Sequence, residues 1–115
     1  MITFDEFAKV EIRAGKILSA EKIPDTDKLL KLSVDFAEPT PRQIVSGISM
    51  HFPDPQTLVG KTCMFVTNLE PRTIKGYESN GMLFAISTPG TEENPTGAFS
   101  LLEPQGMIPP GTKAK

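Results

Sequence analysis

The sequence predicts an all-β fold: a five-stranded barrel with one short helix between its third and fourth strands. Three observations point there. Proline and glycine are frequent, 11 and 9 residues among 115, and spread along the whole chain, so they divide it into short pieces. In the clearest of those pieces apolar and polar residues alternate at period two, the pattern of a half-buried strand. A stretch with helix start and stop signals falls between the third and fourth strand-like segments. The length suits one domain, residues 1–115, built around a single modest core.

Thr3 can cap a single helical turn in which Phe4 and Phe7 flank Asp5 and Glu6. The first strand is expected over residues 10–19, where Val10, Ile12 and Ala14 alternate with charged residues. After Gly15 the apolar set resumes at Ile17, one residue out of step. A glycine at a phase change predicts a β-bulge or a coiled bend, which a small barrel needs in order to close. IPDTDK is a Pro/Asp turn, and its Asp25 and Asp27 serve local backbone bonding better than paired-carboxylate chemistry. The second strand, 28–36, sets Leu30, Leu32, Val34 and Phe36 on one face and Leu29, Lys31, Ser33 and Asp35 on the other.

RQIVSGI supplies the third strand, 42–48. The short helix follows, with Asp54 as cap, Pro55 at its first position and Gly60 as its stop. The fourth strand is 62–68 and the fifth 81–87, separated by the long loop NLEPRTIKGYES. FSLLE suits a short extra strand, and the C-terminal PQGMIPPGTKAK reads as irregular. Leu30, Leu32, Val34, Met64, Val66 and Leu83 are the predicted core. Five strands with a helix between the third and fourth is the element order of an OB barrel. A small SH3-like barrel, the structural rival, has no reason to carry a helix there.

Composition narrows the functions. No apolar run approaches the length that spans a bilayer, and the N-terminal MITFDEFAKVEIR lacks the basic and apolar regions of a secretory signal. A cytoplasmic protein with no membrane partner is expected. The lone Cys63 can form neither an intrachain disulfide nor a zinc knuckle, and its apolar neighbours place it in the core. The single histidine, His51, has no cysteine or carboxylate at ligand spacing and suits a turn. Nucleophile-elbow, phosphate-loop and dinucleotide fingerprints are missing, so neither a catalytic residue nor a metal or other cofactor is expected.

Net charge is −2 and the isoelectric point about 5.4, which argues against a strongly basic nucleic-acid surface. Its distribution softens that objection. Residues 41–80 hold Arg42, Lys61, Arg72 and Lys75 against Asp54, Glu70 and Glu78, and so are locally basic. Within them the loop between strands four and five joins Arg72 and Lys75 to Asn68, Tyr77, Ser79 and Asn80. That loop borders the ligand face of OB folds. Cations suit phosphates, amides and hydroxyls give directional hydrogen bonds, and a tyrosine can stack on a base. The same topology directs Lys28, in the turn between strands one and two, and Lys31, on strand two, to that face, with Arg42 and Ser46 from strand three beside them. The competing reading is a long polar loop and a solvated strand face. Either way the loop side chains are expected to be exposed, so that replacing Arg72, Lys75 or Ser79 leaves the fold intact.

FAKVEIRAGKI, DKLLKLSVDF, RQIVSGI, FPDPQTLVGK and NLEPRTIKGYESNGMLFA, in this order and spacing, carry a resemblance. The chain resembles the tRNA-binding domain of bacterial methionyl-tRNA synthetase C-termini, of free-standing structure-specific tRNA-binding proteins, of the endothelial monocyte-activating polypeptide family and of CsaA-like proteins. The match runs from Phe4 to the final PPGTKAK, and its most specific part is N-L-x-P-R followed by K-G-x-x-S-x-G-M. The resemblance implies a non-catalytic OB barrel that binds tRNA by shape and backbone and assists methionyl-tRNA synthetase in cis or in trans. Its alternative is a CsaA-like chaperone for unfolded polypeptides.

By the motif match, Asn68, Arg72, Lys75, Ser79 and Met82 are the positions carried over, although Met82 also suits plain strand-five core. Asn80 stands where relatives often have glutamate, and the acidic isoelectric point departs from the more basic binders of this type. The resemblance further implies a homodimer. Phe4, Phe7, Met107, Ile108, Pro109 and Pro110 are terminal apolar residues that a minimal barrel does not need, and they either build a two-fold interface or pack on their own barrel.

Overall fold

The computed structural model describes residues 1–115. Its strands are β1 (Ile12–Lys22), β2 (Leu30–Asp35), β3 (Arg42–Ser46), β4 (Thr62–Val66), β5 (Arg72–Ile74), β6 (Tyr77–Ser79), β7 (Met82–Leu83), β8 (Ala85–Ser87) and β9 (Phe99–Leu101). Five of them form an antiparallel sheet in the order β3-β2-β1-β4-β7, curled into a nearly closed barrel. The chain just ahead of β7 closes it against β3. Asn80 N–H donates to Gln43 O at 2.8 Å, and Val45 N–H donates to Ser79 Oγ at 2.9 Å.

The all-β, OB-like prediction holds, and the differences are local. The predicted helical turn is α1 (Phe4–Phe7), held by a full capping box in which Thr3 Oγ1 accepts from Glu6 N–H and Glu6 reaches back to Thr3 N–H. The helix between strands three and four is two 3₁₀ turns, Ser49–His51 and Pro55–Leu58. Asp54 caps the second and Pro55 opens it as expected, but its backbone bonds span three residues, Thr57 N–H to Asp54 O and Val59 N–H to Gln56 O, which makes the turn 3₁₀. Leu58 from that turn is buried and plugs the barrel.

The phase change in β1 resolves into two features. The bulge lies at Leu18, where the pairing with β2 slips between Ile17 and Ser19 and the side chain is left exposed. Gly15 serves close packing instead: a Cβ there would sit 2.5 Å from Phe36 Cε1 and 2.6 Å from Val34 Cγ1. Leu30, Leu32, Val34 and Phe36 are buried as the period-two pattern requires, and Phe36 packs edge-on against Phe65 at 5.2 Å.

In β4 the inward residues are Cys63 and Phe65, so Met64 faces outward and is only half-buried, a correction to the predicted core. Val66, on the same outward phase, is nevertheless buried, as is Leu83. Burial pushes the Cys63 thiol up to about 11, which leaves it unreactive.

The predicted fifth strand is split because its partner changes. β7 pairs with Phe65 and Val66, while β8 pairs with β9. Between them Leu102 wedges against β4: Met64 N–H donates to Leu102 O and Leu102 N–H to Phe84 O. The C-terminal segment is also less irregular than its composition suggests. Gly111 and Ala114 donate to Ala14 O and Ile12 O, and Ala14 donates to Thr112 O, so the tail lies along the start of β1.

Candidate nucleic-acid interface

The segment expected to be a loop after β4 is a β-hairpin, β5 against β6, standing on the barrel wall. Lys75 and Gly76 form its turn at φ 52° and 84°. Positive φ at both central residues is the backbone of a tight hairpin turn, which glycine adopts without strain and lysine does not. Cross-strand pairing sets Arg72 with Ser79 and Ile74 with Tyr77 on one face, Thr73 with Glu78 on the other. Arg72 and Lys75 are both exposed.

The base of the hairpin is fastened at both ends. On the outgoing side, Asn68 Nδ2 donates to Lys9 O at 2.6 Å and its Oδ1 accepts from Glu11 N–H at 2.8 Å. Thr67 Oγ1 donates to the Glu11 carboxylate at 2.7 Å. That hydroxyl, then the nearby Arg13 and Lys113, hold the Glu11 carboxyl below the usual carboxylate range. On the returning side, Ser79 is 5% exposed, and its Oγ accepts from Val45 N–H and donates to Gly81 O at 3.2 Å. Gln43 Nε2 donates to Glu78 O at 3.0 Å. Asn68 and Ser79 thus spend their polar atoms on the protein's own backbone, and the expectation of an exposed Ser79 is not met.

Lys31 and the hairpin do meet. Its Nζ lies 5.3 Å from the Tyr77 ring centroid, over the ring, and 3.6 Å from Glu21 Oε2. Arg42 and Ser46, in contrast, do not share the face of Lys31. The β2–β3 register pairs Arg42 with Val34, Ser46 with Leu30, and Lys31 with Val45, so the first two lie on the core-facing side. Arg42 is half-buried, with Nε and Nη2 each 2.8 Å from a Glu38 oxygen. That fork lowers the Glu38 carboxyl and raises the guanidinium from their ordinary values. Lys28 is exposed in the β1–β2 turn, where its carbonyl accepts from Ser49 N–H at 2.9 Å. Met82 is 44% exposed, so it lies outside the core and Leu83 takes the inward position.

No cluster of three His, Cys, Asp or Glu side chains is placed to hold a metal ion. His51 lies flat on Phe99, with ring centroids 4.0 Å apart, as a packing residue of its 3₁₀ turn. Asp25 occupies a turn at φ 62°. Gln43, Thr67 and Glu11 organise the site without any signal in the sequence, because each looks like an ordinary strand-end polar residue until the register is known.

The profile of the family described as "Putative tRNA binding domain" matches residues 12–113. The chain is 49% identical over 115 residues to the methionine–tRNA ligase of Methanoregula boonei, and covers 100% of itself but 16% of that protein. Against the methionine–tRNA ligase of Myxococcus xanthus the figures are 48% over 114 residues, 99% and 15%. The chain therefore spans about a sixth of the length of these relatives. Among solved structures, a MetRS-related protein from Pyrococcus horikoshii superposes with a TM-score of 0.83 at 38% identity, covering 100% of this chain and 98% of that one. The chaperone CsaA of Bacillus anthracis superposes with a TM-score of 0.79 at 25% identity, covering 100% and 99%. A family match over residues 12–113 of this chain, carried on the same barrel, establishes that the chain belongs to the tRNA-binding domain family.

Proposed function

We propose that this chain is a non-catalytic module that grips tRNA by its shape and phosphate backbone and assists a methionyl-tRNA synthetase catalytic core, in cis or in trans. The observation that carries this reading is the hairpin itself: Arg72 and Lys75 are exposed on a short ribbon whose feet are hydrogen-bonded to the barrel. Lys31 lies over Tyr77 of the ribbon, and Lys28 lies in the turn leading to β2. Asn68, Ser79 and Arg42 act as frame, and Met82 is exposed at the start of β7. Such a set suits backbone positioning rather than base reading. No helix is long and apolar enough to cross a membrane. A tRNA-handling role belongs in the cytoplasm.

Titration of tRNA at several salt concentrations tests the reading. Arg72→Ala and Lys75→Ala each weaken binding and each flatten the plot of log affinity against log salt by up to about one unit, as one fewer counterion is released. Equal binding by wild type and the double variant at every salt concentration would remove the hairpin as the site.

A second reading, a CsaA-like binder of unfolded polypeptide, is favoured by one observation: an apolar cleft lined by Met64, Ile86, Leu101, Leu102 and Ile108. Affinity for a denatured protein exceeding that for tRNA at physiological salt is its signature. The same surface and the termini suit homodimerisation, which we propose as the module's working state.

A further inference from the structure

One side chain reaches both feet of the hairpin. Arg42 Nη1 donates to Thr67 O at 2.6 Å and to Asn80 O at 3.5 Å, the carbonyls of the chain leaving and re-entering the barrel. Its Nε and Nη2 close a fork on the two oxygens of Glu38, and the guanidinium lies 5.4 Å from the Phe36 ring centroid. These four hydrogen bonds engage most of the donors that a guanidinium owns, and the side chain is 17% exposed, so little is left for an external phosphate. The other fastenings serve one foot each: Asn68 and Thr67 tie to the N-terminal segment, Ser79 and the Glu78 carbonyl to β3.

The geometry points to Arg42 as the positioning residue of the hairpin: it fixes the separation of the two feet and thereby the stance in which Arg72 and Lys75 meet a phosphate backbone, without touching RNA. This rests on the hairpin being the RNA site. A lysine offers no planar fork, so it cannot bridge Glu38 and both carbonyls at once. Glu38 is the second half of the device, because it holds the guanidinium in the plane from which Nη1 reaches the carbonyls.

The test uses the full chain with Arg42→Gln and Glu38→Gln. Amide hydrogen exchange across residues 69–78 is compared with that of β2 and β4, and tRNA affinity is measured against salt. Both variants speed exchange in 69–78 while β2 and β4 stay protected. Both weaken tRNA binding by on the order of tenfold, the effect of releasing one pre-ordered segment, and both leave the salt slope unchanged.

Glu38→Gln discriminates sharply. Removing a negative charge tightens binding to a polyanion if only long-range electrostatics operate, whereas a lost positioning device weakens it. This variant keeps the Arg42 side chain and its charge, so it answers the question even if Arg42→Gln fails to fold. Unchanged exchange in 69–78, tighter tRNA binding by Glu38→Gln, or a salt slope flattened by about one unit in Arg42→Gln would each overturn the proposal. Equal binding by wild type and the Arg72/Lys75 double variant would instead refute the hairpin as the RNA site and, with it, the RNA role of Arg42. Exchange data separate the two failures.

Discussion

Ser79 shows how a polar residue in a motif can be read as an exposed contact and prove to be buried, bonded to its own backbone. Its hydroxyl accepts from Val45 N–H, a group facing away from water on a buried stretch of β3. Ser79→Ala leaves that donor without a partner and costs about 1–3 kcal/mol of stability, read as a lower urea midpoint. It also weakens tRNA binding with no change of salt slope, because the hairpin foot loosens while the phosphate contacts remain. An unaltered midpoint would contradict the role. Arg42 is a parallel case. Its charge was legible in the sequence, but its face depends on the register of β3 against β2, which no local pattern specifies. Lys31 was placed correctly because the alternation of Leu30, Leu32 and Val34 fixes its side without knowledge of a partner strand.

At the scale of elements, the long alternating segments were readable and the short ones were not. β2 has the burial its sequence predicts at every position, whereas β5 and β6 have three residues each, too few for a period to emerge. The strongest hairpin dipeptide in the region, Asn80–Gly81, lies at the bend into β7, while the true turn uses Lys75–Gly76. Two carboxylates tie such elements together. Glu11 is held low by the Thr67 hydroxyl and by Arg13 and Lys113, and Glu38 by the Arg42 fork. A carboxyl whose folded value lies below its unfolded one stabilises the fold above the unfolded value and loses that contribution as pH falls through the folded one. Stability therefore declines as pH drops below the ordinary value of 4.5, and the Glu11→Gln, Glu38→Gln double variant shows a shallower decline. Urea midpoints across that range test it, and parallel curves for the two proteins would refute it.

The whole molecule presents two unlike surfaces. One carries the hairpin and its flanking lysine. The other is apolar: Ile86 is 62% exposed and Ile108 39%, in the cleft that Met64, Leu101 and Leu102 also line, and Met107, next to Ile108 in the chain, is fully exposed. At the N-terminus Phe4 is 78% and Phe7 48% exposed, so neither packs fully on its own barrel, which was the alternative read from the sequence. The C-terminal tail is nonetheless ordered by backbone bonds along β1, which presents Ile108 at a defined place. Contiguous exposed apolar surface on a small domain marks an association site. A second copy of the chain is the simplest occupant, because a two-fold contact needs one self-complementary patch and no further partner. Sedimentation at micromolar concentration is expected to give twice the 12.5 kDa chain mass. Ile86→Asp, and separately Ile108→Asp, shift the species to monomer while circular dichroism stays that of the folded barrel, since both side chains are exposed and their loss opens no cavity. If the termini contribute, truncation after Glu103 weakens the dimer as well, with a further loss of stability from the removed pairing along β1. A wild-type chain that sediments as a 12.5 kDa monomer across this range would sink the dimer and leave the apolar face free for the unfolded-polypeptide reading.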